Sequence, residues 1–284
     1  MIRLALAACA LVACGDDVGP QLDAQGCPVP DLSAPWLHEL VTGTVTGLAQ
    51  APRATTTERA AARTYLTNSL TAIGWTPRLE AYPSGANVYA TLPATITTSR
   101  QIVVGAHFDT VAGSPGANDN ASGVAAVLAV ARYLSDAPCR KAAVTVILFD
   151  EEEAGLFGSR AAANMLSAQQ ADVTAVHTID QIGWDSDGDQ RFEIELPTAE
   201  LEAEYQAAAT VIGVPVTTTT TTGTDHQAFR AAGFSAVGLT EEYVGGDTSP
   251  YRHTPQDTAS TVNPDYLASG ARLVAQVVWT EVTR

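Results

Sequence analysis

Five side chains of the kind that bind metal ions stand along this 284-residue chain, each in a distinctive local sequence. They are His107, Asp119, Glu153, Asp180 and His253. Two imidazoles and three carboxylates form a donor set that suits a pair of zinc-like ions. A further residue, Glu152, directly precedes one of these candidate ligands and has the chemistry of a general base. Together these residues predict a hydrolytic centre built on two metal ions.

Strand-like and helix-like segments alternate through the region that carries these residues. Apolar or β-branched runs predict strands at 78–82, 87–92, 101–106, 143–149, 174–182, 192–196 and 236–240. Helical patterns predict helices at 55–73 and 121–134, one from about 158, and others at 200–212, 226–232 and 264–281. The run of threonines at 217–222 fits either an edge strand or a loop entering the site. The alternation predicts an α/β fold of three layers, α/β/α, around a central, mostly parallel mixed sheet.

Most of the candidate ligands come just after a predicted strand. His107 follows the strand at 101–106, Glu153 follows 143–149, and Asp180 lies near the end of 174–182. His253 follows the strand at 236–240 after a longer loop. Ligands of open α/β sheets bind at the carboxyl ends of the strands, so these side chains are expected to meet in one crevice.

His107 and Asp109 form a His-x-Asp step at a predicted strand end. Residues i and i+2 of a strand point the same way, so Asp109 is expected beside His107, as a catalytic residue that steadies the ligand cluster. An ordinary hydrogen bond between the two side chains would give the same step, and the step by itself leaves both interpretations open.

The motifs around these residues, taken together and in order, resemble family M28 of zinc peptidases, which includes bacterial secreted aminopeptidases and glutaminyl cyclases. The resemblance runs from about residue 84 to residue 258. It rests on GAHFDT (105–110), GANDNASG (116–123), DEEEAGLFGS (150–159), TIDQIG (178–183) and YRHTPQDT (251–258). It implies a fold of the co-catalytic zinc exopeptidase type, in agreement with the alternation of strands and helices.

The resemblance also implies a ligand set for two zinc ions per chain. Asp119 would bridge the two ions, because a carboxylate has an oxygen for each. One ion would be held in addition by His107 and Asp180. The other would be held by Glu153 and His253.

Within the acidic stretch at 150–153, the resemblance makes Glu152 the general base for a metal-bridging water and Glu153 the ligand. Asp150 and Glu151 are expected to have supporting roles. Three adjacent glutamates directly after a buried strand would repel one another without cations nearby.

Substrate contacts are predicted less directly. Asp225 and His226 belong to a Thr-Asp-His step that resembles one near the family's substrate pocket, and Tyr251 is a third pocket candidate. Some relatives carry a tyrosine shortly before this step that stabilises the oxyanion, and this chain has threonines there. A threonine hydroxyl, a backbone N–H, Tyr243 or Tyr251 could take that role.

Three other features receive plainer interpretations. Asp185, Asp187 and Asp189 form an acidic run that lacks the full calcium-loop pattern and is interpreted as a solvated turn. His177 is expected to be a satisfied core residue. Asp257 is expected to support His253 by a hydrogen bond.

The beginning of the chain has the pattern of an export signal. Residues 1–13 contain one arginine and a short apolar run, which predicts a signal peptide rather than a membrane-spanning helix. The sequence LVAC (11–14) resembles a bacterial lipobox that would be lipidated on Cys14, although an ordinary signal peptide cut nearby is the alternative. Residues 14–35 are predicted to be a flexible tether, and 36–284 the peptidase domain. These features predict an extracytoplasmic lipoprotein at the periplasmic face or cell surface, or a secreted protein.

Cys27 and Cys139 would remain in the exported domain. Two cysteines in an oxidising compartment suggest a disulfide, and two separate thiols are the alternative.

The formal net charge of −16, from 15 basic and 31 acidic residues, bounds the possible partners. It repels nucleic acid and anionic membrane surfaces, so any membrane contact is expected only through the lipid anchor. Nothing in the sequence indicates an oligomeric state.

These observations predict a dizinc exopeptidase acting on peptides, first of all an aminopeptidase. A glutaminyl-peptide cyclotransferase, which typically uses one zinc, is an alternative on the same fold. So is a carboxypeptidase, for which Arg252 and Arg160 are the nearby cations. An alternative of another class is a tethered binding module without catalysis, although no ligand or base is missing.

Overall fold

An eight-stranded mixed sheet organises the part of the chain that the computed structural model describes, namely Cys27, Val29, Asp31, Leu32 and residues 35–284. The predicted signal peptide, Cys14 and all of the predicted tether except Cys27, Val29, Asp31, Leu32 and Pro35 lie outside these residues. The strands are β1 (Arg78–Tyr82), β2 (Gly85–Leu92), β3 (Gln101–His107), β4 (Ala143–Phe149), β5 (Val173–Ile179), β6 (Phe192–Glu195), β7 (Val216–Thr219) and β8 (Ala236–Thr240).

The strands lie side by side in the order β1-β2-β4-β3-β5-β8-β6-β7. The central strands β4, β3, β5 and β8 are mutually parallel. β2 pairs antiparallel with β4 on one side, and β6 pairs antiparallel with β8 on the other. The parallel block brings the carboxyl ends of four strands to one edge of the sheet.

Helices cover both faces, as the alternation of elements predicted. The helices are α1 (Trp36–Leu48), α2 (Thr56–Ala72), α3 (Gly123–Ser135), α4 (Phe157–Ala168), α5 (Ala199–Ile212), α6 (His226–Ala231) and α7 (Pro264–Thr283). The start of α2 is a capping box: the Thr55 hydroxyl accepts from the Glu58 N–H, and the Glu58 carboxylate accepts from the Thr55 N–H.

Two apolar cores lie on opposite faces of the sheet. On β3, Ile102 and Val104 point into the larger core, which contains residues of α1, α3 and α7, while Val103 points into the smaller core with α4 and α6. Because neighbouring residues of a strand face opposite sides, a strand buried on both faces is apolar throughout. This confirms the prediction of a three-layer α/β/α fold with a mixed sheet.

One helix differs from the sequence-based expectation. α1 was not predicted, because threonines, valines and glycines with weak helix propensity fill much of it. Its buried residues Leu37, Val41, Val45 and Leu48 pack against the larger core. The predicted strand at 192–196 corresponds to β6. It is internal, antiparallel to β8 and parallel to β7, so that β7, at the start of the threonine run, forms the edge.

A disulfide joins Cys27 to Cys139, with 5.9 Å between the Cα atoms. It ties the start of the described chain to the turn that follows α3. In the described residues no helix has the length and apolar character needed to cross a membrane.

Replacing both cysteines by serine should destabilise the fold. The cross-link closes a loop of 112 residues, and removal of a disulfide of this kind typically lowers the free energy of unfolding by about 2–4 kcal/mol. Urea unfolding of the oxidised protein and the double variant measures this difference. The reduced wild-type protein is the matched control and should unfold like the variant. Equal midpoints for all three samples would contradict the prediction.

Candidate active site

The predicted ligands gather at the edge of the sheet where the parallel strands end. His107 is the last residue of β3, Glu153 lies four residues after the end of β4, and Asp180 directly follows β5. Asp119 lies in the tight turn Ala117–Ser122 before α3. His253 lies in the long loop after β8. The parallel topology therefore converts five positions distant in sequence into neighbours.

The five side chains form two groups that share Asp119. In the first group, His107, Asp119 and Asp180 each offer a ligand atom within 4.8 Å of the others, and in the second Asp119, Glu153 and His253 do the same. These are the two sets that the family resemblance implied. His107 Nε2 lies 3.3 Å from Asp180 Oδ1, and His253 Nε2 lies 3.0 Å from Glu153 Oε2.

The two oxygens of Asp119 are divided between the groups. Oδ1 lies 3.3 Å from His107 Nε2, and Oδ2 lies 3.1 Å from His253 Nε2. Burial by itself would raise the pKa of Asp119, but hydrogen bonds from His107 and His253 outweigh it and hold the pKa below its usual range. Asp119 is therefore ionised and placed to bridge two cations.

The chemistry of this donor set fits two zinc ions. Nitrogen and carboxylate oxygen donors are those zinc accepts in catalytic sites. Glu153 Oε1 is buried and has no hydrogen-bond partner in the described part of the chain. Burial, followed by nearby charges, raises the pKa of Glu152 to about 9 and that of Glu153 to about 7. Cations at the two groups would stabilise the charged forms, which burial and neighbouring carboxylates disfavour.

Glu152 lies beside the first group, with Oε2 4.0 Å from His107 Nε2. Asp109 holds this arrangement. Its Oδ1 accepts from the backbone N–H of Glu152, and its Oδ2 accepts from that of Glu153. Asp109 Oδ1 also lies 3.5 Å from His107 Nδ1. One carboxylate thus orients a metal-type histidine and the chain segment that carries the candidate base.

Asp257 makes a second clamp of the same kind. Its two oxygens accept from the consecutive N–H groups of Asn118 and Asp119, at 2.8 and 3.0 Å. The sequence predicted that Asp257 would support His253, and the structure places it on the other side of the shared ligand, Asp119. Asp109 and Asp257 therefore fix the backbone segments that carry Glu153 and Asp119, on which the two ligand groups depend.

Arg53 supports the same region and was not predicted from the sequence. Its buried guanidinium donates to the carbonyl oxygens of Leu48, Phe108, Pro115 and Gly116. These hydrogen bonds hold the chain just before Asp109 and just before the turn that contains Asp119. A lone arginine before a helix carries no sequence signal for this role.

The acidic stretch after β4 divides between two environments. Asp150 lies between Arg59 and Arg63, at 2.8 and 2.5 Å, and Glu151 pairs with Arg59 at 2.8 Å. Glu152 and Glu153 turn toward the metal-type ligands. Glu151 has a left-handed φ of 59°. The backbone changes direction there, between the pair Asp150 and Glu151 and the pair Glu152 and Glu153. Asp150 and Glu151 thus have the supporting role expected of them.

A pocket of about 110 Å³ opens beside Asp180. The predicted pocket residues lie around it and not in its walls. Asp225 is buried next to Ser159, and His226 lies behind the wall, where its Nε2 contacts the Thr221 carbonyl at 3.2 Å. Tyr251 packs edge-on against Trp184, with ring centroids 5.5 Å apart. The lining residues include Glu195, Tyr243 and Arg252 instead.

The remaining polar features lie apart from this centre. Asp185, Asp187 and Asp189 form a mostly exposed turn, in which the Asp185 carboxylate accepts from the N–H of Gly188 and Gln190. His177 is buried, with Nε2 2.9 Å from Glu281 Oε2.

Known proteins resemble this chain in sequence. A model of peptidase family M28 matches residues 87–278. Aminopeptidase YwaD of Bacillus subtilis is 30% identical over 195 residues, which are 64% of this chain and 41% of that protein. Leupeptin-inactivating enzyme 1 of Streptomyces exfoliatus is 28% identical over 76% of this chain and 54% of its own length. "Probable lipoprotein aminopeptidase LpqL" of Mycobacterium tuberculosis is 45% identical over 64 residues, 22% of this chain and 13% of its own. The chain spans about half or less of these relatives.

Solved structures share the fold. LapA of Legionella pneumophila superposes with a TM-score of 0.81 at 21% identity, covering 87% of this chain and 73% of LapA. BSAP, described as a zinc aminopeptidase from Bacillus subtilis, gives 0.66 at 25% identity, covering 70% and 50%. A glutaminyl cyclase from Bacteroides thetaiotaomicron gives 0.72 at 21% identity, covering 88% and 99%.

Metal-free protein should lose stability as the pH rises, and zinc should remove this loss. The folded pKa values of Glu152 and Glu153, about 9 and 7, exceed the usual 4.5, and that of His107 is raised by neighbouring carboxylates that outweigh its burial. Between about pH 5 and 9 the folded chain therefore binds more protons than the unfolded chain, so its stability falls with rising pH. Bound zinc replaces those protons.

Thermal unfolding from pH 5 to pH 9, with zinc and with chelator, measures this effect. The gap in Tm between the two samples should widen by several degrees, since about 1 kcal/mol shifts Tm by about 2–4 °C in a domain of this size. Other buried carboxylates affect both samples alike. A gap that stays constant or narrows with rising pH would contradict the prediction.

Proposed function

Because the chain belongs to peptidase family M28, we propose that it is an aminopeptidase that removes N-terminal residues from peptides with two zinc ions. The observation that carries the proposal is the division of the Asp119 oxygens between two ligand groups, with Glu152 beside the first. That arrangement suits a hydrolase with two neighbouring cations and one base.

Side chains in the described part of the chain would supply the ligands of both zinc ions. His107, Asp119 and Asp180 would hold one zinc, and Asp119, Glu153 and His253 the other. Bound there, zinc would polarise the scissile carbonyl and lower the pKa of water toward neutrality.

Glu152 would move the proton. Its carboxylate would accept a proton from the attacking water and pass it to the nitrogen of the leaving amine. Burial makes this carboxylate more basic than an exposed glutamate, because the charged form is less well solvated. Asp109 fixes the position of the Glu152 backbone, so the base need not be ordered anew in each turnover.

The charges around the site favour the amino end of a peptide. Glu152 and Glu195 lie outside the two ligand groups, so their carboxylates would still attract a free α-ammonium group when zinc neutralises the ligands. A carboxypeptidase needs an available cation for the substrate carboxylate. Arg252 is engaged by Asp119, with Nε 3.4 Å from Oδ2, and Arg160 is exposed on α4. The complete five-ligand set likewise favours hydrolysis with two zinc ions over the cyclase reaction.

We further propose that the protein acts outside the cytoplasm, anchored by a lipid on Cys14. The lipobox-like LVAC at 11–14 and the named lipoprotein relative support this proposal. The Cys27–Cys139 disulfide suits an oxidising compartment.

Glu152→Gln should lower kcat by about 100-fold or more, because the amide cannot accept the proton. Zinc content should remain two ions per chain, since the five ligands are unchanged. The assay uses anilides of free amino acids with N-acetylated versions beside them, and wild type should cleave only the free-amine substrates. Glu200→Gln, an exposed change of the same kind on α5, is the matched control and should be fully active.

Three results would contradict the proposal. They are cleavage of the acetylated anilides, wild-type turnover by Glu152→Gln, or no cleavage of anilides and peptides by protein that binds two zinc ions. Conversion of N-terminal glutamine to pyroglutamate by protein with one zinc would indicate the cyclase instead.

A further inference from the structure

We propose that the pocket beside Asp180 selects a cationic N-terminal side chain, lysine or arginine, with Glu195 as its counter-charge. This inference rests on the proposed aminopeptidase function, because it gives that function a substrate class. Asp180 belongs both to the first ligand group and to the pocket wall. A side chain in the pocket would therefore belong to the residue whose peptide bond lies over the ligands.

The walls of this pocket carry many hydrogen-bonding groups. Four threonines line it, together with the carboxylates of Asp180 and Glu195, and in the described chain no leucine, isoleucine, valine, methionine or phenylalanine contributes to the lining. An apolar side chain would displace water from these groups without replacing their hydrogen bonds, which is unfavourable. The lining therefore favours a side chain with a polar or charged end over leucine.

Glu195 is built into the pocket by the sheet. It is the last residue of β6 and stands opposite Gly238 of β8. A Cβ atom at position 238 would lie 2.5 Å from Glu195 Oε2 and 2.8 Å from His226 Nδ1. The glycine therefore provides the space that the carboxylate and the imidazole occupy.

A fixed hydrogen-bond chain orients the carboxylate. Thr224 Oγ1 lies 3.0 Å from Glu195 Oε2 and 2.8 Å from His226 Nδ1, and His226 Nε2 contacts the Thr221 carbonyl. Within the described residues these bonds involve only Oε2, and Oε1 has no hydrogen-bond partner. Oε1 is thus available to a group that enters the pocket.

Glu195 also lacks a cationic partner in the described part of the chain. The nitrogen base within 4 Å is His226 Nδ1 at 3.5 Å, and burial lowers the pKa of His226 to about 4, so this imidazole is neutral near pH 7. Burial, with Asp180 nearby, raises the pKa of Glu195 to about 8. A substrate ammonium or guanidinium would supply the missing charge and stabilise the ionised carboxylate.

The one arginine of the lining does not reverse this preference. Arg252 lies 3.4 Å from Asp119 Oδ2, and its charge is shared with that carboxylate. An aspartate or glutamate side chain in the pocket would face Glu195 directly. The pocket therefore favours positive over neutral side chains, and neutral over negative ones.

Lysine and norleucine provide the sharpest test, since they differ by the terminal ammonium. With the full-length, zinc-loaded protein, kcat/KM for the lysine anilide should exceed that for norleucine by about tenfold or more, as expected for one charge-assisted hydrogen bond. Arginine should resemble lysine, and glutamate should be the poorest. Glu195→Gln should reduce the preference for lysine over norleucine to about threefold or less. Glu80→Gln, on the distant strand β1, is the control and should keep the preference.

Calorimetric binding of lysinamide and norleucinamide gives a second readout that needs no turnover. Tighter binding of lysinamide by wild type, lost in Glu195→Gln, supports the inference even if no anilide is cleaved, an outcome that would count against the proposed function alone. Equal or tighter binding of norleucinamide by wild type would overturn the inference without any variant. So would a preference for glutamate, or a lysine preference that Glu195→Gln leaves intact.

Discussion

Repulsion among buried carboxylates is the constraint on which this structure depends. Asp119, Glu152, Glu153 and Asp180 lie at one edge of the sheet, within reach of the same two histidines. Such a cluster is stable only when each negative charge meets a cation, a proton or a hydrogen-bond donor. Burial, together with the neighbouring carboxylates, raises the pKa values of Glu152 and Glu153, because protein groups alone do not balance these charges. The same imbalance gives the cluster its affinity for divalent cations.

The surrounding groups relieve the repulsion without entering the ligand sets. Asp109 and Asp257 each accept two consecutive backbone N–H groups, which satisfies their own charges and fixes the segments that carry the ligands. Arg53 binds carbonyl oxygens, and Arg59 and Arg63 neutralise Asp150. The protein therefore holds a preorganised set of donors, and the pocket next to it, with Asp180 and Glu195 in its wall, has the same acidic character.

The sequence predicted those parts of the molecule whose signal is local. β4 was predicted with its observed bounds, because a β-branched apolar run buried on both faces has little other interpretation. The family resemblance also implied the two residue groups that the structure brings together. α1 was missed because tertiary packing and not propensity keeps it helical. The roles of Asp257, Arg53 and Glu195 depend on partners 29 to 139 residues away, such as Thr224 for Glu195, and no local pattern encodes them.

Anomalous X-ray diffraction at the zinc edge, from crystals of the zinc-loaded protein, tests the central claim most directly. Two peaks should appear, one at the group of His107 and Asp180 and one at the group of Glu153 and His253, with Asp119 contacting both, and each ion about 2.0–2.2 Å from its ligand atoms. A single peak, or peaks at the acidic turn of Asp185–Asp189 with none at the shared aspartate, would contradict the account.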